Sequence, residues 1–94
     1  MTYKLEFLVD ALKEWKKLDK AIKEQFKKKL KERLKKPRIE SARLSGQKDR
    51  YKIKLRSAGY RLIYEVDDGV IVVTVIAVGK RERNAVYKAA AKRI

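Results

Sequence analysis

The apolar residues of this sequence recur with two different spacings, and this difference limits the fold more than any other feature. Between Leu8 and Leu34 they recur every three or four positions, whereas between Tyr51 and Val78 they alternate or run together. The first spacing is that of one face of an amphipathic helix, and the second is typical of β-strands. The chain is therefore predicted to be α+β, with a helical region packed on a sheet.

The helical region is predicted to form two helices. Asp19 is of a type that caps helix N-termini, so the division between the helices is placed near Leu18–Asp19. The second helix should end at Pro37, because proline cannot continue a helix. The two helices are expected to form an antiparallel hairpin, with Trp15 and Phe26 among its core residues.

The strands are predicted from apolar alternation bounded by turn residues. Four strands are expected, at Tyr3–Phe7, Tyr51–Leu55, Tyr60–Val66 and Val70–Val78. A fifth, short edge strand is expected around Ala42–Leu44, within a loop. The almost unbroken apolar run of Val70–Val78 should be the central strand, closed by Gly79. A final helix is expected from about Arg83 to Arg93.

Together these elements predict one domain, residues 1–94. The helical hairpin should cover one face of a twisted, mostly antiparallel sheet of four to five strands, with a C-terminal helix following the sheet. The other face of the sheet should be left partly open, and we expect the functional residues there.

The charge of the chain indicates a polyanionic partner. The 27 lysines and arginines outnumber the 12 acidic residues, which gives a net charge of +15. A charge of magnitude about 2–8 is usually enough to keep a small domain soluble. The excess therefore favours binding to nucleic acid, the ribosome or an anionic membrane. Each lysine on the outer face of the helices could simply be solvated, but together they could contact RNA phosphates.

The residue types that are missing exclude several chemistries. The sequence contains no cysteine and no histidine. Disulfides, thiol chemistry, an ordinary structural zinc site and Ser–His or Cys–His catalysis are therefore excluded, as are paired catalytic imidazoles. We expect no metal and no cofactor. No apolar run is long enough to span a bilayer, and the N-terminal segment is not a signal peptide, so a cytoplasmic protein is expected.

The first predicted β-hairpin carries a group of cations. In a regular antiparallel register, Lys52, Lys54 and Arg56 share a face with Arg61, while the neighbouring apolar residues face the helices. A slipped or bulged register would separate them, and we favour the regular one. Opposed like charges are destabilising, and only Glu65 could be a local carboxylate partner. The cluster is either a solvated face or a phosphate-binding surface, and the total charge favours the second.

The segment after the central strand adds further basic residues. Lys80 and Arg81 lie where this strand should run into the last helix, and Gly79 would permit a sharp turn there. Tyr87 follows Arg81 by six residues, so the two share a site only if Arg81 precedes the helix or Tyr87 reaches across. Otherwise Tyr87 is simply a half-buried helix residue.

Four segments of the chain resemble the RelE branch of the RelE/ParE toxins. They are ALKEWKKL (11–18), KKPRIESARLSG (35–46), YKIKLRSAGYRLIYEV (51–66) and VIAVGKRERNAVYKAAAKRI (75–94). The resemblance covers nearly the whole chain and implies a fold similar to that of microbial ribonucleases. It also implies a ribosome-dependent endoribonuclease of a type II toxin–antitoxin system, which cleaves mRNA in the A site of the 70S ribosome, next to 16S rRNA. The implied partner is a RelB-like antitoxin, with operator DNA bound only through the complex of the two proteins.

The resemblance also implies the residues of the site. The matching catalytic positions are Lys52, Lys54, Arg61, Arg81 and Tyr87. Further candidates for RNA binding are Arg56, Lys80 and Arg83. Many relatives use a histidine near the C-terminus, which this chain lacks. The gyrase-inhibiting ParE branch typically lacks the basic cluster, which favours a ribonuclease here. The alternatives are a non-catalytic toxin acting on gyrase or the ribosome, and a structural or regulatory nucleic-acid binder.

Overall fold

The computed structural model describes residues 2–93, and it confirms the α+β class. The elements follow in the order β1 (Lys4–Phe7), α1 (Val9–Lys16), α2 (Lys20–Lys35), β2 (Arg50–Leu55), β3 (Tyr60–Asp67), β4 (Val72–Lys80) and α3 (Ala85–Lys92). Two single-turn 3-10 helices, Glu40–Ala42 and Glu82–Asn84, precede β2 and α3. The predicted division between the first two helices is confirmed, because Asp19 is the N-cap residue of α2.

The four strands form one sheet in the order β1-β4-β3-β2. β1 pairs with β4 in parallel, and the other two pairings are antiparallel. The sheet is therefore mostly antiparallel, as predicted, and β4 lies in its interior. The expected fifth strand around Ala42–Leu44 is wrong. That segment forms a 3-10 turn and then a single bridge between Arg43 and Tyr51, so the described residues contain four strands.

One face of the sheet packs against α1 and α2. Phe26 is fully buried in this first core cluster, together with Ile53, Leu62 and Tyr64 from the strands. Trp15 is only partly buried, and its ring lies between those of Phe7 and Phe26, at centroid distances of 5.4 and 6.2 Å. Burial of these side chains is the main favourable term in the folding of such a small domain.

The opposite face of the sheet is partly open, as predicted, and α3 covers part of it. A second core cluster joins Val86 and Ala90 of α3 to Ile63, Ile76 and Ala77 of the sheet. Ile76 and Ala77 are consecutive, and both reach this cluster because the β3–β4 register shifts between Ile63 and Tyr64. Such a bulge inserts one extra residue and redirects the side chains that follow it.

Both ends of β4 differ from the prediction. Val70 is exposed and Ile71 has a positive φ of 56°, so both lie in the turn and the strand begins at Val72. Gly79 does not close the strand, because it pairs with Arg61 and the ladder continues to Lys80.

The chain turns into α3 later than predicted. The left-handed residues at this turn are Arg83 (φ 52°) and Asn84 (φ 56°), whereas Gly79 does not have a positive φ. The last helix therefore begins at Ala85 rather than near Arg83. Two consecutive non-glycine residues in the left-handed region carry backbone strain.

A hydrogen-bonded network joins β1 to the β3–β4 turn. The Tyr3 hydroxyl donates to Asp68 at 2.6 Å, and Arg38 donates to the other carboxylate oxygen of Asp68 at 2.9 Å. Arg38 also donates to Asp49 and to the Tyr51 hydroxyl. The hydrogen bond from Tyr3, followed by that from Arg38, lowers the pKa of Asp68 from its usual value of 3.8.

The lowered pKa of Asp68 predicts a specific dependence of stability on pH. Asp68 contributes stability above pH 3.8, and this contribution is lost as the pH falls through the lower pKa of the folded state. We expect Asp68→Asn to unfold at lower urea concentration than the native protein at pH 7. The difference should close as the pH approaches 2.

Urea titrations between pH 7 and pH 2 measure this difference. The control is Asp19→Asn, because the Asp19 side chain makes no capping hydrogen bond. This variant should follow the native protein at every pH. A difference between Asp68→Asn and native protein that stays constant over the whole pH range would contradict the assignment.

Candidate active site and RNA interface

Pairing of β3 with both neighbours places the predicted cations on one face of the sheet. Arg61 lies directly opposite Lys54 on β2 and opposite Gly79 on β4. Lys52 lies one row away, opposite Ile63. Directly opposed residues share a face, so Lys52, Lys54 and Arg61 lie together on the side of the sheet that α3 partly covers. The regular register is confirmed, and we call these three residues the cation face.

The centre of the cation face is a buried arginine beside open space. Arg61 is 7% exposed, and it is the one buried charged residue in the described part of the chain. Its guanidinium donates to the carbonyl oxygen of Tyr60 at 2.9 Å. Gly79 has no side chain, and a Cβ atom added there would meet no heavy atom within 4 Å. A ligand can therefore approach the sheet on the β4 side of Arg61.

Arg81 lies before α3 and against the β2–β3 turn. Its backbone N–H donates to the carbonyl oxygen of Gly59 at 2.9 Å. Gly59 has a φ of +71°, and a Cβ atom there would lie 4.0 Å from Nε of Arg81. This turn connects Leu55 to Tyr60, which form the last residue pair of the β2–β3 hairpin. Arg81 is thus at the end of the sheet where Lys54 and Arg61 lie.

Tyr87 is half-buried on α3. Its ring packs against the second core cluster, which contains Ile63, the residue opposite Lys52. Arg81 precedes the helix, so the condition under which Arg81 and Tyr87 can serve one site is met. Tyr87 therefore borders the sheet face that carries Lys52.

The electrostatics of the cation face are dominated by repulsion. The ammonium group of Lys52 lowers the pKa of Lys54 from its usual value of 10.5, and partial desolvation, Arg56 and Arg61 lower it further. Glu65 does not compensate these charges, because it accepts a hydrogen bond from Arg50 at 2.9 Å. No ion pair within residues 2–93 involves the cation face.

The three further RNA-binding candidates have different positions. Arg56 follows β2 and is close enough to Lys54 to lower its pKa. Arg83 is exposed in the strained turn before α3. Lys80 lies opposite Tyr60, which packs on the α1 and α2 side, so the alternation along β4 directs Lys80 away from the cation face. The structure does not bring Lys80 together with Lys52, Lys54 and Arg61, but Lys80 and Arg83 line one groove beside Gly79.

Two arginines that the sequence analysis did not single out hold α3 on the sheet. Arg50 donates to the carbonyl oxygens of Ala90 and Arg93, at 2.6 and 2.8 Å. Arg93 in turn binds both carboxylate oxygens of Glu14 and the carbonyl oxygen of Ile76. Because these bonds fix the end of α3, they also fix Tyr87. No local pattern in the sequence distinguishes these arginines from the many exposed ones.

No helix in the described part of the chain is long and apolar enough to cross a membrane. Residues 2–93 also contain no group of three or more acidic side chains arranged to hold a metal ion. The candidate site contains cations, a tyrosine and an open strip of backbone at Gly79.

Comparison with known proteins finds toxins of type II toxin–antitoxin systems. Residues 5–85 match a family model described as the ParE toxin of the type II toxin–antitoxin system parDE. The mRNA interferase toxin RelE of Escherichia coli K12 is 60% identical over 94 residues, which are 100% of this chain and 99% of the relative. A putative RelE-like toxin protein of E. coli is 56% identical over the same shares.

Solved structures give the same result. The free state of an E. coli toxin RelE mutant with two arginines replaced by alanine has a TM-score of 0.92 and 57% identity, covering 100% of this chain and 99% of that one. The toxin in the intact E. coli RelBE toxin–antitoxin complex has a TM-score of 0.83 and 59% identity, covering 86% and 99%. The chain therefore belongs to the RelE branch of the RelE/ParE toxins.

The repulsion within the cation face makes the pKa of Lys54 testable. Lys52 is the largest cause of the lowered pKa, so we expect Lys52→Ala to raise the pKa of Lys54 back toward 10.5. Titration of the Lys54 side chain by NMR measures this change. Lys28→Ala on α2 is the control and should leave the pKa unchanged. An unaltered Lys54 titration in Lys52→Ala would refute the electrostatic account.

Proposed function

We propose that this chain is a ribosome-dependent endoribonuclease toxin that cuts mRNA in the ribosomal A site. The observation that carries the proposal is the cation face, in which Lys54 has a lowered pKa and no carboxylate neutralises the group. The relative from E. coli K12 is named an mRNA interferase, and it is 60% identical over the whole chain. This identity supports the same reaction here.

The proposed reaction uses the RNA's own 2′-hydroxyl. This oxygen attacks the adjacent phosphorus, and the bond to the 5′-oxygen of the next nucleotide breaks. The products are a 2′,3′-cyclic phosphate and a 5′-hydroxyl. The reaction needs a base for the 2′-hydroxyl proton, a stabiliser for the charge that develops on phosphate, and a proton or positive charge for the leaving oxygen. The chain's own side chains can supply all three without a metal ion.

Lys54 is the proposed base. Lysine is ordinarily protonated, but a lowered pKa increases the neutral fraction that can accept the 2′-hydroxyl proton. Lys52 is the largest single cause of the lowered pKa and can share the role. Arg61, which lies opposite Lys54, would hold the scissile phosphate through its planar guanidinium.

Arg81 and Tyr87 complete the proposed site. Arg81 would stabilise the negative charge on the leaving oxygen. Proton donation is a second option, which is disfavoured because arginine is a poor acid in water. Tyr87 would stack on a base and orient the nucleotide, as aromatic side chains commonly do with unpaired RNA. Arg56 and Arg83 would bind flanking phosphates, and Lys80 would do so from the other side of β4.

The proposed partners follow from the same comparison. The E. coli relatives with solved structures include a toxin in its RelBE toxin–antitoxin complex, which supports a RelB-like antitoxin here, with operator DNA bound through that complex. The 70S ribosome, with its 16S rRNA and A-site mRNA, would be the target, so the protein would act in the cytoplasm. The net charge of +15 favours association with such a polyanion.

Single substitutions in the site should reduce cleavage strongly. Removal of one preorganised donor typically lowers the rate by about 10²–10³. We expect losses of this size for Arg61→Ala and for Arg81→Ala in single-turnover cleavage on programmed ribosomes, with ribosome binding largely kept. Rates near normal for both variants would overturn the site assignment.

Free RNA should be a poor substrate. The Lys54 side chain is exposed on the sheet face, so we expect the ribosome to supply most of the orientation of the reacting groups. Cleavage of one message, free and in the A site, compares the two conditions directly. Rapid cutting of the free message would contradict ribosome dependence. Toxicity in cells without cleaved mRNA would instead favour the alternative of a non-catalytic inhibitor.

A further inference from the structure

A basic cleft of about 340 Å³ continues the cation face around the edge of the sheet. We call it the edge cleft. Lys52, Lys54 and Arg56 form its β2 side. Its other side is formed by Lys29 and Arg33 of α2, with Ser41 from the 3-10 turn. Lys52, Lys54 and Arg56 belong to the predicted site, whereas the residues on the α2 side do not.

The backbone of β2 adds a hydrogen-bond donor to the edge cleft. β2 is an edge strand, and the carbonyl oxygens of Arg50 and Lys52 accept bonds from outside the β2–β3 ladder, from Leu44 N–H and the Arg33 guanidinium. Alternate residues of an antiparallel strand direct both N–H and C=O to the same side. The N–H group of Lys54 therefore faces the cleft, whereas that of Lys52 lies within the bridge that pairs Tyr51 with Arg43.

Among residues 2–93, no carboxylate lines the edge cleft. Glu40 is the neighbour of Ser41, but its carboxylate is bound to Arg43 at 2.8 Å. Five cations thus surround the cleft without a compensating negative group. Because like charges at this spacing repel, an anion bound among them would lower the electrostatic energy of the folded protein.

Lys29 is the free cation on the α2 side. Arg33 lies one helical turn later, and its guanidinium already forms hydrogen bonds within the protein. It donates to the Tyr64 hydroxyl at 2.9 Å and to the Lys52 carbonyl oxygen at 3.1 Å. Lys29 is exposed and forms no ion pair among the described residues. The Ser41 hydroxyl is likewise exposed and can donate a hydrogen bond.

We propose that the edge cleft is a second phosphate subsite, in which Lys29 and Ser41 bind a phosphate of the mRNA that neighbours the scissile one. The inference rests on the proposed function and extends it from the cutting residues to the path of the substrate. Lys52 and Lys54 border both the cation face and the edge cleft. A strand whose scissile phosphate lies at Arg61 therefore continues across the edge of β2 into the cleft.

Single-turnover cleavage on programmed ribosomes separates binding in the edge cleft from chemistry. We expect Lys29→Gln and Ser41→Ala to raise the toxin concentration for half-maximal rate, by about tenfold for the lysine, whose contact is charge-assisted. The rate at saturation should stay within about twofold of native, because neither residue touches the reacting atoms. The matched control is Lys28→Gln, which removes the same charge from the same helix but lines a different groove.

The phosphate that binds in the edge cleft can be located with mRNAs in which one phosphate at a time is replaced by an uncharged methylphosphonate. With native toxin, neutralising the phosphate held in the edge cleft should raise the half-maximal concentration as much as Lys29→Gln does. With Lys29→Gln, the same message should cause no further loss. Additive losses at every linkage would overturn the proposal, as would equal effects of Lys28→Gln and Lys29→Gln.

Binding measurements separate failure of this inference from failure of the proposed function. A message with a 2′-O-methyl group at the cut cannot react but keeps every phosphate. Lys29→Gln should weaken toxin binding to ribosomes that carry it, even if the native protein proves not to cleave RNA. An equal loss on ribosomes without mRNA would assign the phosphate to ribosomal RNA and overturn the proposal.

Discussion

β3 pairs with β2 and with β4, and its register with β2 is regular. This pairing holds positively charged side chains close together despite their mutual repulsion. Lys54 and Arg61 face each other on one side of the hairpin. The cost of this contact is offset on the other side, where the same strands bury Ile53 and Leu62 completely and stack the rings of Tyr51 and Tyr64 at 5.6 Å. A one-residue slip would expose this core and scatter the cations, so fold and site depend on the same register.

The position of α3 depends on a second set of contacts. Val86 and Ala90 pack on Ile63 and on the bulged residues of β4, while Arg50 and Arg93 fix the helix end. Because hydrogen bonds from arginine to buried carbonyl groups are strong and directional, the helix has a defined place on the sheet. The site is thus formed between a rigid hairpin and a helix held by a few polar bonds at one end and a strained turn at the other.

The sequence analysis was most accurate where a pattern repeats and least accurate at chain reversals. Both helices of the first region and the three long strands follow from apolar spacing, and Asp19 marked a helix start correctly. The expected turn at Gly79 was wrong, because strand pairing with Arg61 extended β4 through the glycine. The left-handed turn at Arg83 and Asn84 was not predicted, because neither position is glycine and asparagine, although enriched in this conformation, adopts others as well. Long-range pairing decided both outcomes.

By itself, the sequence determined the fold class, the excess of positive charge, the absence of imidazole and thiol, and the identity of the cations on the hairpin, because these follow from composition and local periodicity. Only the tertiary structure decided that α3 covers part of the sheet face, that Lys80 points away from it, and that Lys29 and Ser41 border a cleft next to Lys52. Such neighbours come from distant parts of the chain, and their proximity is set by packing and by strand register, which no local pattern encodes.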